Sequence, residues 1–159
     1  MKSLFTSTHA YIIALVLIFS ASSAIAHDDE TLDKMKAPHD GQVRMAGIYH
    51  FELLMNKNSQ GNKEEPLTVF VTDHNWNKIE TKGATATATI LSGKTKSTIT
   101  LIADEDNGLT GMAKYVAKPD LKVVLSVTMS GKSVEQARYT PFKTMKMKTP
   151  QGKHGTHEH

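Results

Sequence analysis

Between residues 41 and 142 the chain alternates apolar and polar residues with a period of two, the spacing of a strand with one buried face. In "YHFELLM", Tyr49, Phe51, Leu53 and Met55 share one face while His50 and Glu52 share the other. "LTVFVTD" sets Leu67, Val69 and Val71 against Thr68, Phe70 and Thr72, and "ATATATIL" sets Ala86, Ala88 and Ile90 against threonines. "STITLIA" follows with Ile99 and Leu101 on one side, and "LTGMAKYV" is weaker because Gly111 interrupts it. The row Val123, Leu125, Val127, Met129 in "LKVVLSVTM" is the strongest of the set. "VEQARYTPF" closes the series, with Pro141 at its end.

Gly- or Asn-containing breaks separate these runs at 56–65, 73–78, 92–95, 104–108 and 130–132. Short strands, frequent turns and no helical period predict an all-β fold: an immunoglobulin-like β-sandwich of about seven strands over 41–142. A closed barrel is the alternative, since seven short strands can also curl round. The Cys–Trp–Cys core of antibody domains is absent, and Trp76 falls in a turn.

The two ends read differently. Lys2 and the apolar stretch "AYIIALVLIFSASSAIA" predict a signal peptide over 1–26, with cleavage after Ala24-Ile25-Ala26. The competing reading is an uncleaved anchor, but the run from Ala10 to Phe19 is short against the roughly 20 apolar residues a span needs. Export of this kind points to a bacterial periplasm, and no second apolar stretch predicts a membrane span after cleavage. Residues 27–40 ("HDDETLDKMKAP" and after) read as a polar flexible leader, and 143–159 as a flexible tail with Pro150, Gly152 and Gly155.

Composition narrows the functions. The chain has no cysteine, so no disulfide stabilises it. Its 19 Lys+Arg stand against 16 Asp+Glu, and loss of Lys2 narrows the excess. The lysines are scattered rather than collected into a stripe, which argues against nucleic acid as a partner. "SGKT" at 92–95 and "SGKS" at 130–133 resemble the end of a phosphate loop, but Ala88 and Ser126 stand where its first Gly belongs. Both fragments join strand patterns and read as hairpin turns. No Gly-x-Ser-x-Gly elbow, cysteine nucleophile or His-Glu-x-x-His helix is present, so no enzymatic activity is expected and no catalytic residue is assigned.

Metal-binding chemistry is better represented. His154, His157 and His159 crowd the last six positions beside two glycines, so their rings can converge on one ion with Glu158 as a further donor. Met145 and Met147 lie between lysines in a segment too polar to bury a thioether. Thioether with imidazole suits copper or silver; imidazole with carboxylate suits zinc, nickel or cobalt. Cleavage after Ala26 would make His27 the first residue, whose amine and ring chelate Cu(II), with Asp28 and Asp29 adjacent. Within the domain, His39, His50 and His74 lie near strand ends as further candidates. Binding needs neutral imidazole, so affinity should fall below about pH 6.5.

The segments "APHDGQVRMAGIYHFELL", "LTVFVTDHNWNKI" and "ATATILSGKTKSTITL" resemble small exported proteins and domains associated with bacterial heavy-metal efflux of the resistance-nodulation-division type. Related segments carry Pro-His-Gly-Gly, Tyr-His-Phe-Glu-Leu and Val-Thr-Asp-His, which map to 38–41, 49–53 and 71–74 here. The similarity spans about 37 to 141. Asp40 stands in place of the first Gly of the pair and brings a carboxylate next to His39. The resemblance implies a periplasmic metal-handling accessory that serves a subunit of an efflux pump, and it carries His39, His50 and His74 forward as candidates. The rival class is an immunoglobulin-like module that docks on an efflux subunit or envelope protein by an exposed strand edge and touches no metal.

Overall fold

The alternating runs do become strands. In the computed structural model, residues 29–104 and 106–143 are described. A short helix α1 (Asp29–Lys34) precedes eight strands: β1 (Gln42–Ala46), β2 (Tyr49–Met55), β3 (Glu65–Thr72), β4 (Thr85–Ser92), β5 (Thr95–Ala103), β6 (Gly108–Ala113), β7 (Lys122–Thr128) and β8 (Val134–Tyr139). All pairings are antiparallel, in the order β1-β2-β3-β6-β5-β4-β7-β8.

The fold is thus all-β, with eight strands in one continuous sheet where the alternation predicts seven. The sheet curls until it is nearly a barrel. Its two halves join through a short β5–β6 pairing, Ile102 with Thr110 and Ala103 with Leu109. At the opposite seam β1 and β8 come side by side. There the Tyr139 hydroxyl donates to the Phe51 carbonyl at 3.0 Å, and the Thr140 amide donates to Gln42 Oε1 at 2.9 Å.

The predicted inward rows form the core. Phe51, Leu53, Leu67, Val69, Val71, Ala88, Val123, Leu125 and Val127 are buried, and Met129 and Tyr139 complete the packing. Burial of these side chains is the main favourable term in folding. "SGKT" and "SGKS" are hairpin turns, as expected, with Gly93 at φ 57° and Gly131 at φ 69°.

The strand that the pattern conceals is β1. Gln42 pairs with Leu53 and Arg44 with Phe51, so polar side chains occupy its inward positions. Arg44 is nonetheless buried, because Asp33 of α1 accepts from Nη1 at 2.7 Å and from Nη2 at 3.2 Å. Its apolar residues Val43 and Met45 therefore face outward.

That outward row changes the reading of the leader. Of the segment expected to be a flexible leader, residues 29–40 pack on the sheet: Leu32 of α1 and Ala37 are buried with Val43, and Met45 and Trp76 pack against them. Two apolar side chains in a polar stretch suffice, because the sheet already presents an apolar outer row to receive them. The stretch 1–26, expected from the sequence to be a signal peptide, lies outside the described residues. Among the described residues, no helix is long and apolar enough to cross a membrane.

Candidate metal centre

The outer face of β1, β2 and β3 carries two cross-strand rows. Met45 opposes His50, which opposes Thr72; Val43 opposes Glu52, which opposes Phe70. Partners in an antiparallel register share a face, with Cβ atoms about 4.5–5.5 Å apart. Chain segments from outside the strands fold over each row and bring an imidazole onto it.

Over the first row lies the loop 73–77. The Asp73 carboxylate organises it: Oδ1 accepts from the amides of Asn75 at 2.8 Å and Asn77 at 2.9 Å, and Oδ2 accepts from Asn77 Nδ2 at 2.9 Å. The Asp73 amide donates to the Asn77 carbonyl, and the Trp76 amide donates to the Asp73 carbonyl. The Asn77 side-chain hydrogen bond holds the Asp73 carboxyl below its ordinary pKa, against a smaller opposing push from burial. Trp76 takes φ 65°, a left-handed conformation rare for a bulky residue.

The strained turn brings its side chains back to β2. The His74 ring meets the His50 ring edge-on with centroids 5.0 Å apart, and the Trp76 indole lies 4.9 Å from the His50 ring. His50 is buried, Met45 and Trp76 are half-buried, and His74 is exposed at the mouth of the cluster. Two imidazoles, one thioether and one indole thus occupy one patch. A thioether is a soft metal donor and an imidazole a borderline one.

The second row is a clamp. The Glu52 carboxylate, its side chain 4 % exposed, accepts from the amides of His39 at 2.8 Å and Gly41 at 2.9 Å through Oε1. Its Oε2 lies 2.8 Å from His39 Nδ1. The His39 ring stacks on Phe70 with centroids 3.8 Å apart and planes 17° from parallel. Asp40, at φ 59°, adopts a left-handed conformation that a glycine would take without cost. Through these contacts Glu52 shapes the 38–41 turn.

Of the candidates read from the sequence, His50 and His74 are brought together, while His39 is held by Glu52 and Phe70 instead. Among the described residues no three His, Asp or Glu side chains converge on one point. His27, Met145, Met147, His154, His157 and His159 lie outside the described residues. Sequence reasoning passed over Met45, Glu52 and Trp76 as functional groups. Recognising "QVRMA" as a strand with an inverted face would have placed Met45 beside His50. A groove of about 1270 Å³ runs along α1, β1 and the 140–143 turn; it reaches His39 and Asp40 but neither His50 nor His74.

No protein-family model matches the chain, and no curated protein matches it.

Proposed function

We propose that the protein is a periplasmic transition-metal-binding accessory in heavy-metal efflux or resistance. Copper or silver is the leading cargo, with zinc, nickel or cobalt as the borderline alternative. The observation that carries this reading is the approach of His50 and His74, 5.0 Å apart, from a strand and a separate loop. A strained tryptophan and an aspartate-clamped turn maintain that approach, and strain of this kind collects at ligand-binding sites. The His- and Met-bearing tail and the likeness to efflux-associated exported proteins point the same way.

In this reading the curled sheet is the rigid platform. Its two halves, joined through the short β5–β6 pairing, are compatible with a variation on an immunoglobulin-like sandwich. The tail residues Met145, Met147, His154, His157 and His159, with His27 at the processed terminus, act as additional donors. An exposed donor set exchanges ions with a pump subunit quickly, because an incoming ligand can attack before the outgoing one leaves.

The test is calorimetry of the processed chain with Cu(I), Cu(II), Ag(I) and Zn(II) at neutral pH, beside a variant ending at Pro150. Stoichiometric binding of at least one of these ions is expected. A chain that binds none of them would instead be the docking module, and the metal reading would be lost.

A further inference from the structure

We infer that the free edge of β5, over residues 95–99, takes an extended acidic segment of a partner protein as an added antiparallel strand. This goes beyond the metal reading and is independent of it, since it uses none of the candidate donors.

β5 pairs with β4 along residues 95–101, but with β6 only at Ile102 and Ala103. The two-residue turn 93–94 makes Ser92 and Thr95 a hydrogen-bonded pair, and such pairs alternate along an antiparallel ladder. Ser97 and Ile99 therefore bond to β4, whereas the amides and carbonyls of Lys96, Thr98 and Thr100 point to the other edge. At Thr100 that edge is covered by β6: the carbonyl oxygen lies 2.7 Å from where a Cβ on Gly111 would stand. Toward the start of β5 the two strands part. Among the described residues, no strand pairs with Lys96 or Thr98 on this side. The end strands of the sheet, β1 and β8, lie side by side, so the curl stays open at β5.

The fork between β5 and β6 holds a cleft of about 170 Å³, lined by Ile90, Ser97, Tyr115 and Val116 among others. An added residue opposite Ser97 shares its face and points into this cleft. An apolar cavity of roughly 150 Å³ admits benzene, so the cleft has room for one branched aliphatic side chain. The two flanking residues, opposite Lys96 and Thr98, face outward. Lys94 and Lys96 are exposed beside them, and exposed Lys114 lines the cleft from the far side. None of these three lysines is paired with a carboxylate among the described residues. They select a strand that alternates acidic and branched aliphatic residues. A second copy of this chain is disfavoured, because it would bring the same lysines to the seam. Backbone bonds along such an edge supply affinity and the alternate side chains supply specificity.

The experiment titrates the full processed chain, isotope-labelled, with a capped peptide of alternating glutamate and valine. The amide signals of Lys96 and Thr98 should shift saturably and exchange more slowly with deuterium, while those of β1 and β8 stay in place. The same peptide N-methylated at its glutamates keeps its charge but loses the donors that face β5, and should bind about tenfold or more weakly. Lys96→Glu, at an exposed position, should weaken the acidic peptide about tenfold or more and admit a peptide with lysine in place of glutamate. Thr98→Pro removes an edge amide that β4 does not use, so binding should be lost with the fold retained. The methylated peptide and Lys96→Glu decide the matter even where the proline variant does not fold. No shift at roughly 1 mM peptide would overturn the inference, as would shifts centred on another edge. Equal binding of the methylated peptide, or unchanged affinity in Lys96→Glu, would overturn it too.

Discussion

Glu52 and His39, thirteen residues apart, are joined by a 2.8 Å contact between Oε2 and Nδ1, and the same carboxylate accepts both the His39 and the Gly41 amides. One buried acid thereby fixes the entry into β1 and seats the His39 ring on Phe70. The polarity that Glu52 lends the outer face of β2 is therefore structural.

Glu52→Gln replaces an acceptor by an amide that must point one donor at existing donors. We expect a stability loss of about 1–3 kcal/mol, in the range for a buried group left badly paired. His39→Ala should cost less, because the half-exposed ring leaves Glu52 its two amide partners. Urea unfolding of the two variants would show the order; equal losses would contradict the clamp.

Asp33 links acid to stability at the barrel seam. Burial pushes its carboxyl pKa up, but hydrogen bonds from Arg44 and Gln42 and the Arg44 charge outweigh that and hold it below the ordinary value. A depressed folded pKa contributes stability that is complete above the unfolded value near 3.9 and is lost as pH falls through the folded one. Asp33→Asn should therefore cost about 1.5–3 kcal/mol at neutral pH, the scale of charged hydrogen bonds. The gap between the variant and the unaltered chain should narrow once pH drops below about 4. Urea midpoints compared across that range provide the check.

Asp73→Ala removes the acceptor for two loop amides and for the Asn77 side chain. The turn should open, carrying His74 and Trp76 away from His50. The emission of Trp76 should then move to the red in metal-free protein, and cross-relaxation between the His50 and His74 rings should disappear. Since the Asp73 pKa is depressed in the fold, acid should produce the same red shift as pH falls through that value.

Gly111→Ala probes the interruption in the β6 pattern. A Cβ there would stand 2.7 Å from the Thr100 carbonyl oxygen and 2.8 Å from Leu101 Cδ2. Gly111 faces the interior opposite Leu67, where β5 crosses closely. Overpacking of this kind costs about 1–3 kcal/mol, so the thermal midpoint should fall. An unchanged midpoint would mean that β5 shifts without cost.

Much of the strand layout is local and was legible for that reason. Alternation in β2, β3, β4 and β7 follows from which side of a pleat each residue occupies, and the glycines at 93 and 131 mark turns through their own dihedral freedom. β1 was illegible because its inward residues are Gln42 and Arg44, and an arginine can be buried when a distant acid, Asp33, meets it. The same reason hid the packing of α1, whose Leu32 gains a place only once Val43 and Met45 face outward.

The sequence by itself determined an all-β chain of short strands, its turn positions and an inventory of soft donors. The tertiary structure decided that the sheet curls round to bring β8 beside β1, that His39 belongs to Glu52, and that His50 meets both His74 and Trp76. Periodicity is set between neighbours in the chain, whereas such meetings depend on register across strands and on an Asp73 turn that redirects the backbone.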